Sequence, residues 1–195
     1  MAGASGPSAC GAGTFAPSEG SPECTPCAAG SFQSAKGATS CDACEAGGYC
    51  EEGAVTVTPC AAGTFGESVG ATNADECTPA PPGSYSTAGA STPSNCSAGT
   101  FAPSEGSSRC TFCAGGTFQP LPRATTCEVC DRGSYCPVGS SSPRPCPAGT
   151  YGGATGLSSA DECTPVPPDF WSSMGAADPE PCPVDAAGKP IDAFY

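Results

Sequence analysis

The residues with the greatest chemical capacity in this sequence are its 17 cysteines. Pairs spaced Cys-x-x-Cys stand at 24–27, 41–44, 110–113 and 127–130. Such pairs can bind zinc, carry out thiol–disulfide exchange or form structural disulfides. The remaining cysteines follow the same regular spacing along the chain. So high a cysteine content is also typical of proteins in an oxidising environment. Both observations favour structural disulfides. We predict no metal and no cofactor.

Several other kinds of chemistry are excluded by composition. The sequence has no histidine, which is the commonest general base and the commonest transition-metal ligand. Six basic residues stand against nineteen acidic ones, so binding to nucleic acid through its phosphates is not expected. No apolar run approaches the roughly 18–20 residues that span a bilayer. We therefore predict a protein that is not an enzyme, binds no nucleic acid and inserts no part of this segment into a membrane.

The elements that position the cysteines cannot rest on an ordinary hydrophobic core. The chain contains 27 Gly and 23 Pro, and its apolar fraction of 38% consists largely of Ala and Cys. Burial of so little large apolar surface does not offset the entropy of ordering the chain. Cross-links that constrain the unfolded state can replace the missing core.

The cysteines follow an internal repeat of 86 residues. Adding 86 to each cysteine position from Cys10 to Cys96 gives the positions from Cys96 to Cys182, and AGTFAPSEGS occurs at 12–21 and again at 98–107. A fixed period is the signature of a repeat architecture. The predicted organisation is the tail of a preceding repeat at 1–9, unit 1 at 10–95, unit 2 at 96–181, and the end of the array or a different module at 182–195. We expect the chain to be a segment of a longer array.

Each unit contains a shorter repeat of about 17 residues, whose motif is Cys-x-x-Gly-Ser/Thr-aromatic. Glycine before the aromatic residue permits positive φ or a close backbone approach. The pattern predicts short extended pairs joined by turns, with each aromatic ring covering the next disulfide. The expected fold is a small disulfide-rich repeat, an elongated rod of stacked cysteine-rich modules with short β-hairpins and mostly irregular structure. The aromatic residues are Phe15, Phe32, Tyr49, Phe65, Tyr85, Phe101, Phe118, Tyr135 and Tyr151.

The stretches CTPCAAGSF (24–32), CTFCAGGTF (110–118) and CDRGSYCPVGSSSPRPCPAGTY (130–151) resemble the cysteine-rich repeats of ephrin-receptor-like and growth-factor-receptor-like ectodomains. The resemblance covers nearly all of residues 10–182. It implies an extracellular or cell-surface location and a disulfide-laddered repeat. Such repeats serve receptors, adhesion proteins and structural fibres.

The resemblance also implies local, sequential disulfides, which sequence alone leaves among 105 pairings per unit. Cys182 then has no partner in the chain and is expected to bond outside the segment, to pair with another subunit or to stay free, the first being favoured. The implied pairs are Cys10–Cys24, Cys27–Cys41, Cys44–Cys50 and Cys60–Cys77, repeated as Cys96–Cys110, Cys113–Cys127, Cys130–Cys136 and Cys146–Cys163.

Two short motifs stand apart from the cysteine ladder. Asn95-Cys96-Ser97 has the form of an N-glycosylation acceptor, and its second copy has Pro181 in place of the asparagine. Residues 73–77 (NADEC) resemble the acidic start of a calcium-binding epidermal-growth-factor module, although a solvated turn is far more strongly favoured there.

The function predicted from these features is structural, as part of an extracellular fibre, filament or cell-surface stalk. Expected partners are further copies or neighbouring repeat segments, and glycans. The alternative is the ligand-binding or adhesive ectodomain of a receptor, with residues 121–123 or 170–172, which diverge from their counterparts, as its binding loop.

Overall fold

The computed structural model describes residues 10–18, 21 and 23–184. The predictions for residues 1–9 and most of 182–195 therefore fall outside the described residues. The chain forms two compact units. Unit A comprises the chain up to Ser94 together with Ser104–Arg109, and unit B comprises Asn95–Pro103 together with the chain from Cys110 onward.

Unit A contains four antiparallel hairpins, in which each strand has two residues and pairs with the next strand along the chain. A 3-10 turn, Ala74–Glu76, precedes the last of these pairing strands. The strands are β1 (Thr14–Phe15), β2 (Thr25–Pro26), β3 (Ser31–Phe32), β4 (Asp42–Ala43), β5 (Gly48–Tyr49), β6 (Thr58–Pro59), β7 (Thr64–Phe65), β8 (Thr78–Pro79) and β9 (Ser84–Tyr85), and β10 (Ser94–Asn95) lies at the unit boundary.

Unit B contains five hairpins of the same kind, β11–β12 through β19–β20. A second 3-10 turn, Ala160–Glu162, occupies the position of the first, 86 residues further on. The strands are β11 (Thr100–Phe101), β12 (Thr111–Phe112), β13 (Thr117–Phe118), β14 (Glu128–Val129), β15 (Ser134–Tyr135), β16 (Arg144–Pro145), β17 (Thr150–Tyr151), β18 (Thr164–Pro165), β19 (Phe170–Trp171) and β20 (Glu180–Pro181).

In six of the repeated motifs the Ser/Thr hydroxyl closes the turn that starts the hairpin. In β3 the hydroxyl of Ser31 donates to the carbonyl oxygen of Ala28 at 2.7 Å, and in β13 the hydroxyl of Thr117 donates to Ala114 at 2.8 Å. Local bonds of this kind favour turns over longer ladders. Proline ends many second strands and has no N–H to extend the pairing. Two-residue strands follow from this sequence pattern.

Cysteine forms most of the buried interior. Eleven of the fifteen buried apolar residues among those described are cysteines, and the others are Phe65, Ala71, Ala80 and Ala102. The predicted fold class, disulfide-rich and nearly without helix, with short hairpins, is confirmed. None of the described helical segments is long and apolar enough to cross a membrane. Most motif aromatics are only half-buried, so their predicted role in covering disulfides stays a prediction.

Candidate functional site

The candidate site is the ladder of disulfides with the glycine turns that join one hairpin to the next. Sixteen cysteines form eight bridges, with Cα–Cα distances from 5.6 to 6.0 Å. The structure brings the cysteines together in the eight pairs that the resemblance implied. The two short bridges, Cys44–Cys50 and Cys130–Cys136, are fully buried at both ends. In the chain-entropy model, each disulfide that closes a loop of about 15 residues contributes on the order of 3 kcal/mol to the free energy of unfolding.

A first set of backbone hydrogen bonds links the glycine of eight motifs to a carbonyl about 20 residues further along the chain. In unit A, the N–H of Gly13 donates to Gln33 at 2.7 Å and the N–H of Gly30 donates to Cys50 at 2.7 Å. The second copy repeats these bonds, with Gly99 donating to Gln119 and Gly116 donating to Cys136, both at 2.8 Å. The same register therefore connects successive hairpins within each unit.

A second set of backbone bonds returns to the cysteines. The carbonyl oxygen of Cys27 accepts from Gly53 at 2.7 Å, and that of Cys113 accepts from Gly139 at 2.8 Å. The carbonyl of Cys96 accepts at 2.8 Å from Arg123, which has φ +62° and stands where the first copy has Gly37. Each bond spans about 26 residues, so the two sets together link an internal hairpin of a unit to the hairpins before and after it.

The turns also touch each other directly, and this contact requires glycine. A Cβ placed on Gly30 would stand 2.4 Å from the carbonyl oxygen of Gly70, and one on Gly116 would stand 2.2 Å from that of Gly156. No side chain fits at such distances, and both Gly30 and Gly116 have positive φ. The Gly that precedes each aromatic residue was predicted to allow close approach, and at these two positions it does so.

Two buried glutamines, which the sequence analysis did not single out, close further turns. Gln33 is 8% exposed, and its Nε2 donates to the carbonyl of Ser40 at 2.9 Å while its Oε1 accepts from the N–H of Ala35 at 2.9 Å. Gln119 makes the equivalent bonds in the second copy. Because buried polar groups must be paired, these amides hold the loop between the hairpin strands. Identity at the same position of both copies was the available sequence signal.

Arg132 links three successive stretches of unit B. Its Nε donates to the carbonyl of Gly153 at 3.0 Å, and its Nη2 reaches the carbonyl of Ala177 at 3.4 Å and forms an ion pair with Asp178. The first copy has Ala46 in this position. Both charged side chains are largely exposed, so the pair is worth under about 1 kcal/mol.

The acidic turn at 73–77 uses its polar groups internally. Asn73 caps the 3-10 turn through Oδ1, which accepts from the N–H of Asp75 at 2.9 Å, and Glu76 accepts from the hydroxyl of Thr72 at 2.6 Å and from its N–H at 2.8 Å. The Thr72 side chain lowers the pKa of Glu76, and Ser158 lowers the pKa of Glu162 in the same way. Across the described ranges, no group of three or more Cys, Asp or Glu is arranged to hold a metal ion.

Four of the exposed apolar side chains in the second copy, all between residues 112 and 138, have no large apolar counterpart in the first. Their exposed fractions lie between 58% and 70%. The ring of Phe112 lies beside the turn at 138–139. Its Cδ1 atom is 3.1 Å from the place that a Cβ on Gly139 would occupy. The four residues are Phe112, Leu121, Val129 and Val138, and their counterparts are Pro26, Ala35, Ala43 and Glu52.

Of the remaining predicted residues, Cys182 joins the ladder through its backbone, because its N–H donates to the carbonyl of Asp169 at 2.8 Å. Cys182 is half-buried and forms no disulfide in the part of the chain that the structure describes. Asn95 is exposed on β10, next to the buried Cys96. Phe170 and Trp171 form β19, and Phe170 is 40% exposed.

These features define a class of protein, the extracellular repeat in which disulfides and glycine turns replace a hydrophobic core. Residues 13–54 match a family model described as tyrosine-protein kinase ephrin type A/B receptor-like. This match and the eight disulfides fit a cysteine-rich ephrin-receptor-like repeat, so the predicted resemblance is confirmed. No curated protein matches the chain significantly.

The matched domain type is non-catalytic and extracellular. Together with the eight disulfides, it points to an extracellular or cell-surface location, as predicted.

Proposed function

We propose that this chain is a structural segment of an extracellular fibre, filament or cell-surface stalk, and that it catalyses no reaction. The observation that carries the proposal is the recurrence of the same backbone bonds in both copies. Gly13–Gln33 and Gly30–Cys50 in the first copy correspond to Gly99–Gln119 and Gly116–Cys136 in the second. Repeats that contact mainly their neighbours can be added in series without limit.

The composition of the ladder supports a load-bearing role in an oxidising medium. Its interior is cysteine rather than aliphatic side chains, so covalent bonds carry much of its stability. The predicted boundaries of the sequence units, 10–95 and 96–181, and the expected self-association form part of this proposal, whereas the expected glycan decoration does not depend on it.

The proposal is tested by electron microscopy of the protein and of a chain in which residues 10–95 are duplicated. A structural array should lengthen by a fixed increment per added unit and should assemble into fibres with an axial repeat set by that unit. The matched control carries the duplication with Gly30→Arg in each copy, which should abolish the regular increment. Monodisperse particles that do not lengthen, and that bind a partner saturably, would exclude the fibre.

A second candidate function is the ligand-binding or adhesive ectodomain of a receptor. The exposed Phe112, Leu121, Val129 and Val138 favour it, because the first copy lacks them and buried apolar anchors dominate binding interfaces. Phe112→Pro restores the residue of the first copy. If this candidate is correct, the variant weakens binding to cells while its melting temperature stays unchanged; binding equal to that of the unmodified chain would count against it.

A further inference from the structure

We propose that Asn95 carries an N-linked glycan, which stands beside the turn at residues 121–123. Asn95-Cys96-Ser97 is the only Asn-x-Ser/Thr triplet in the sequence, and Ala98 follows it. The proposal is independent of the fibre and receptor functions, because either kind of protein is made in the secretory pathway.

Asn95, the second residue of β10, is exposed to solvent at the end of that strand. The residue at this position is exposed in every other hairpin described, whatever its chemical type, so the fold tolerates large variation there. These residues are Pro26, Ala43, Pro59, Pro79, Phe112, Val129, Pro145, Pro165 and Pro181.

The modification is a group transfer from a lipid-pyrophosphate-linked oligosaccharide. Nδ2 of Asn95 attacks the anomeric carbon of the first sugar, so that the Nδ2–C1 bond forms. The bond from C1 to the pyrophosphate oxygen breaks, and the lipid pyrophosphate leaves with that electron pair. Nδ2 gives up one proton, which is balanced by the negative charge of the released lipid pyrophosphate, and no oxidant or reductant is needed.

The fold sets the time at which this transfer occurs. In the finished hairpin Cys96 is buried and bonded to Cys110, and the carbonyl of Ser97 accepts from both the N–H of Thr100 at 3.1 Å and its hydroxyl at 2.7 Å. These bonds hold the triplet in a tight turn. Cys110 follows Cys96 by 14 residues, so the growing chain presents an open triplet before the bridge can close. Glycosylation and disulfide closure therefore compete.

The repeat register places the glycan next to Arg123. The carbonyl of Cys96 accepts from the N–H of Arg123, as the carbonyl of Cys113 accepts from that of Gly139 one hairpin later. There, the ring of Phe112 in the equivalent position to Asn95 lies against Gly139. A sugar on Asn95 would thus lie over the turn that contains Leu121, which is 66% exposed.

To test the proposal, the chain is expressed behind a secretion signal in eukaryotic cells. The intact mass of the secreted protein is measured before and after treatment with peptide N-glycosidase. The expected result is a loss of mass with conversion of Asn95 to Asp, and Ser97→Ala should abolish it. The matched control is Phe112→Asn with Ala114→Ser, which builds the same triplet around Cys113. An unmodified natural chain overturns the proposal, whether or not this control is glycosylated. Gel mobility in whole-cell extracts gives the same readout for variants that fail to be secreted.

Two further measurements test the timing and the placement. Cys110→Ser should raise the glycosylated fraction, because the competing bridge cannot form; an unchanged or lower fraction in whole-cell extracts would overturn the competition. Enzymatic removal of the glycan should shift the amide NMR signal of Arg123 and leave that of Gly139 in place. Equal shifts, or no shift at Arg123, would overturn the placement.

Discussion

Replacement of Gly30 by Ala should destabilise unit A far more than replacement of Gly70, although both residues belong to one contact. Both have left-handed φ, +85° and +81°, so the backbone penalty for alanine is shared. A Cβ on Gly30 would stand 2.4 Å from the carbonyl oxygen of Gly70, whereas a Cβ on Gly70 would have 3.8 Å to its nearest neighbour, the oxygen of Gly30. The difference between the two variants isolates the close approach.

The magnitudes follow from the separate costs. A left-handed alanine costs about 1–2 kcal/mol in either variant. Overpacking adds about 1–3 kcal/mol for Gly30→Ala alone. The turns cannot separate freely, because the N–H of Gly30 is bonded to Cys50 and that of Gly70 to Cys44. Loss of such a bond adds about 1 kcal/mol. We expect Gly30→Ala to exceed Gly70→Ala by about 2–4 kcal/mol in the free energy of unfolding.

The assay is calorimetric unfolding without reductant, so that the disulfides stay closed in both states. A difference of about 2 kcal/mol corresponds to roughly 4–8 °C in melting temperature for a chain of this size. The same comparison in the second copy, Gly116→Ala against Gly156→Ala, should give the same order. Equal melting temperatures within each pair would refute the argument that backbone contact between turns stabilises the units.

Four other outcomes are expected. Arg123→Gly and Asp169→Gly should each raise the melting temperature, because these non-glycine residues hold φ +62° and +66° at positions that are glycine in the first copy. Gln33→Leu should lower the free energy of unfolding by about 1–3 kcal/mol, measured in denaturant, since it leaves a carbonyl and an N–H unpaired. The carboxyl of Glu76 should titrate by NMR below its ordinary pKa of 4.5, and because that folded pKa is lowered, its contribution to stability is present above the unfolded pKa and is lost as the pH falls through the folded one. Thiol labelling without reductant should modify Cys182 alone; a label on any bridged cysteine would contradict the disulfide ladder.

The sequence predicted the features that depend on local spacing. The regular spacing of the cysteines and the Cys-x-x-Gly-Ser/Thr-aromatic motif are enough to indicate a disulfide-rich repeat with short hairpins. The turns are closed by residues only three positions apart, such as Ser31 and Ala28. The resemblance supplied the pairing of cysteines, which spacing alone left open.

The contacts between hairpins could not be predicted in this way. The approach of Gly30 to Gly70 joins residues 40 positions apart, and it depends on how one hairpin is rotated against the next, which no local pattern contains. The pair Arg132–Asp178 occurs in one copy only, so the repeat gave no signal for it. Gln33 was detectable through its identity with Gln119, but a polar residue is ordinarily expected on the surface.

The placement of the bridges has a consequence for digestion of the protein by trypsin, which cuts after Lys and Arg unless proline follows. Between residues 10 and 184 the chain has five such residues, and Arg144 is protected by Pro145. The other four, Lys36, Arg109, Arg123 and Arg132, each lie inside a loop closed by a disulfide. Cuts at these sites leave both ends attached, so the nicked protein holds together until a reductant opens the bridges.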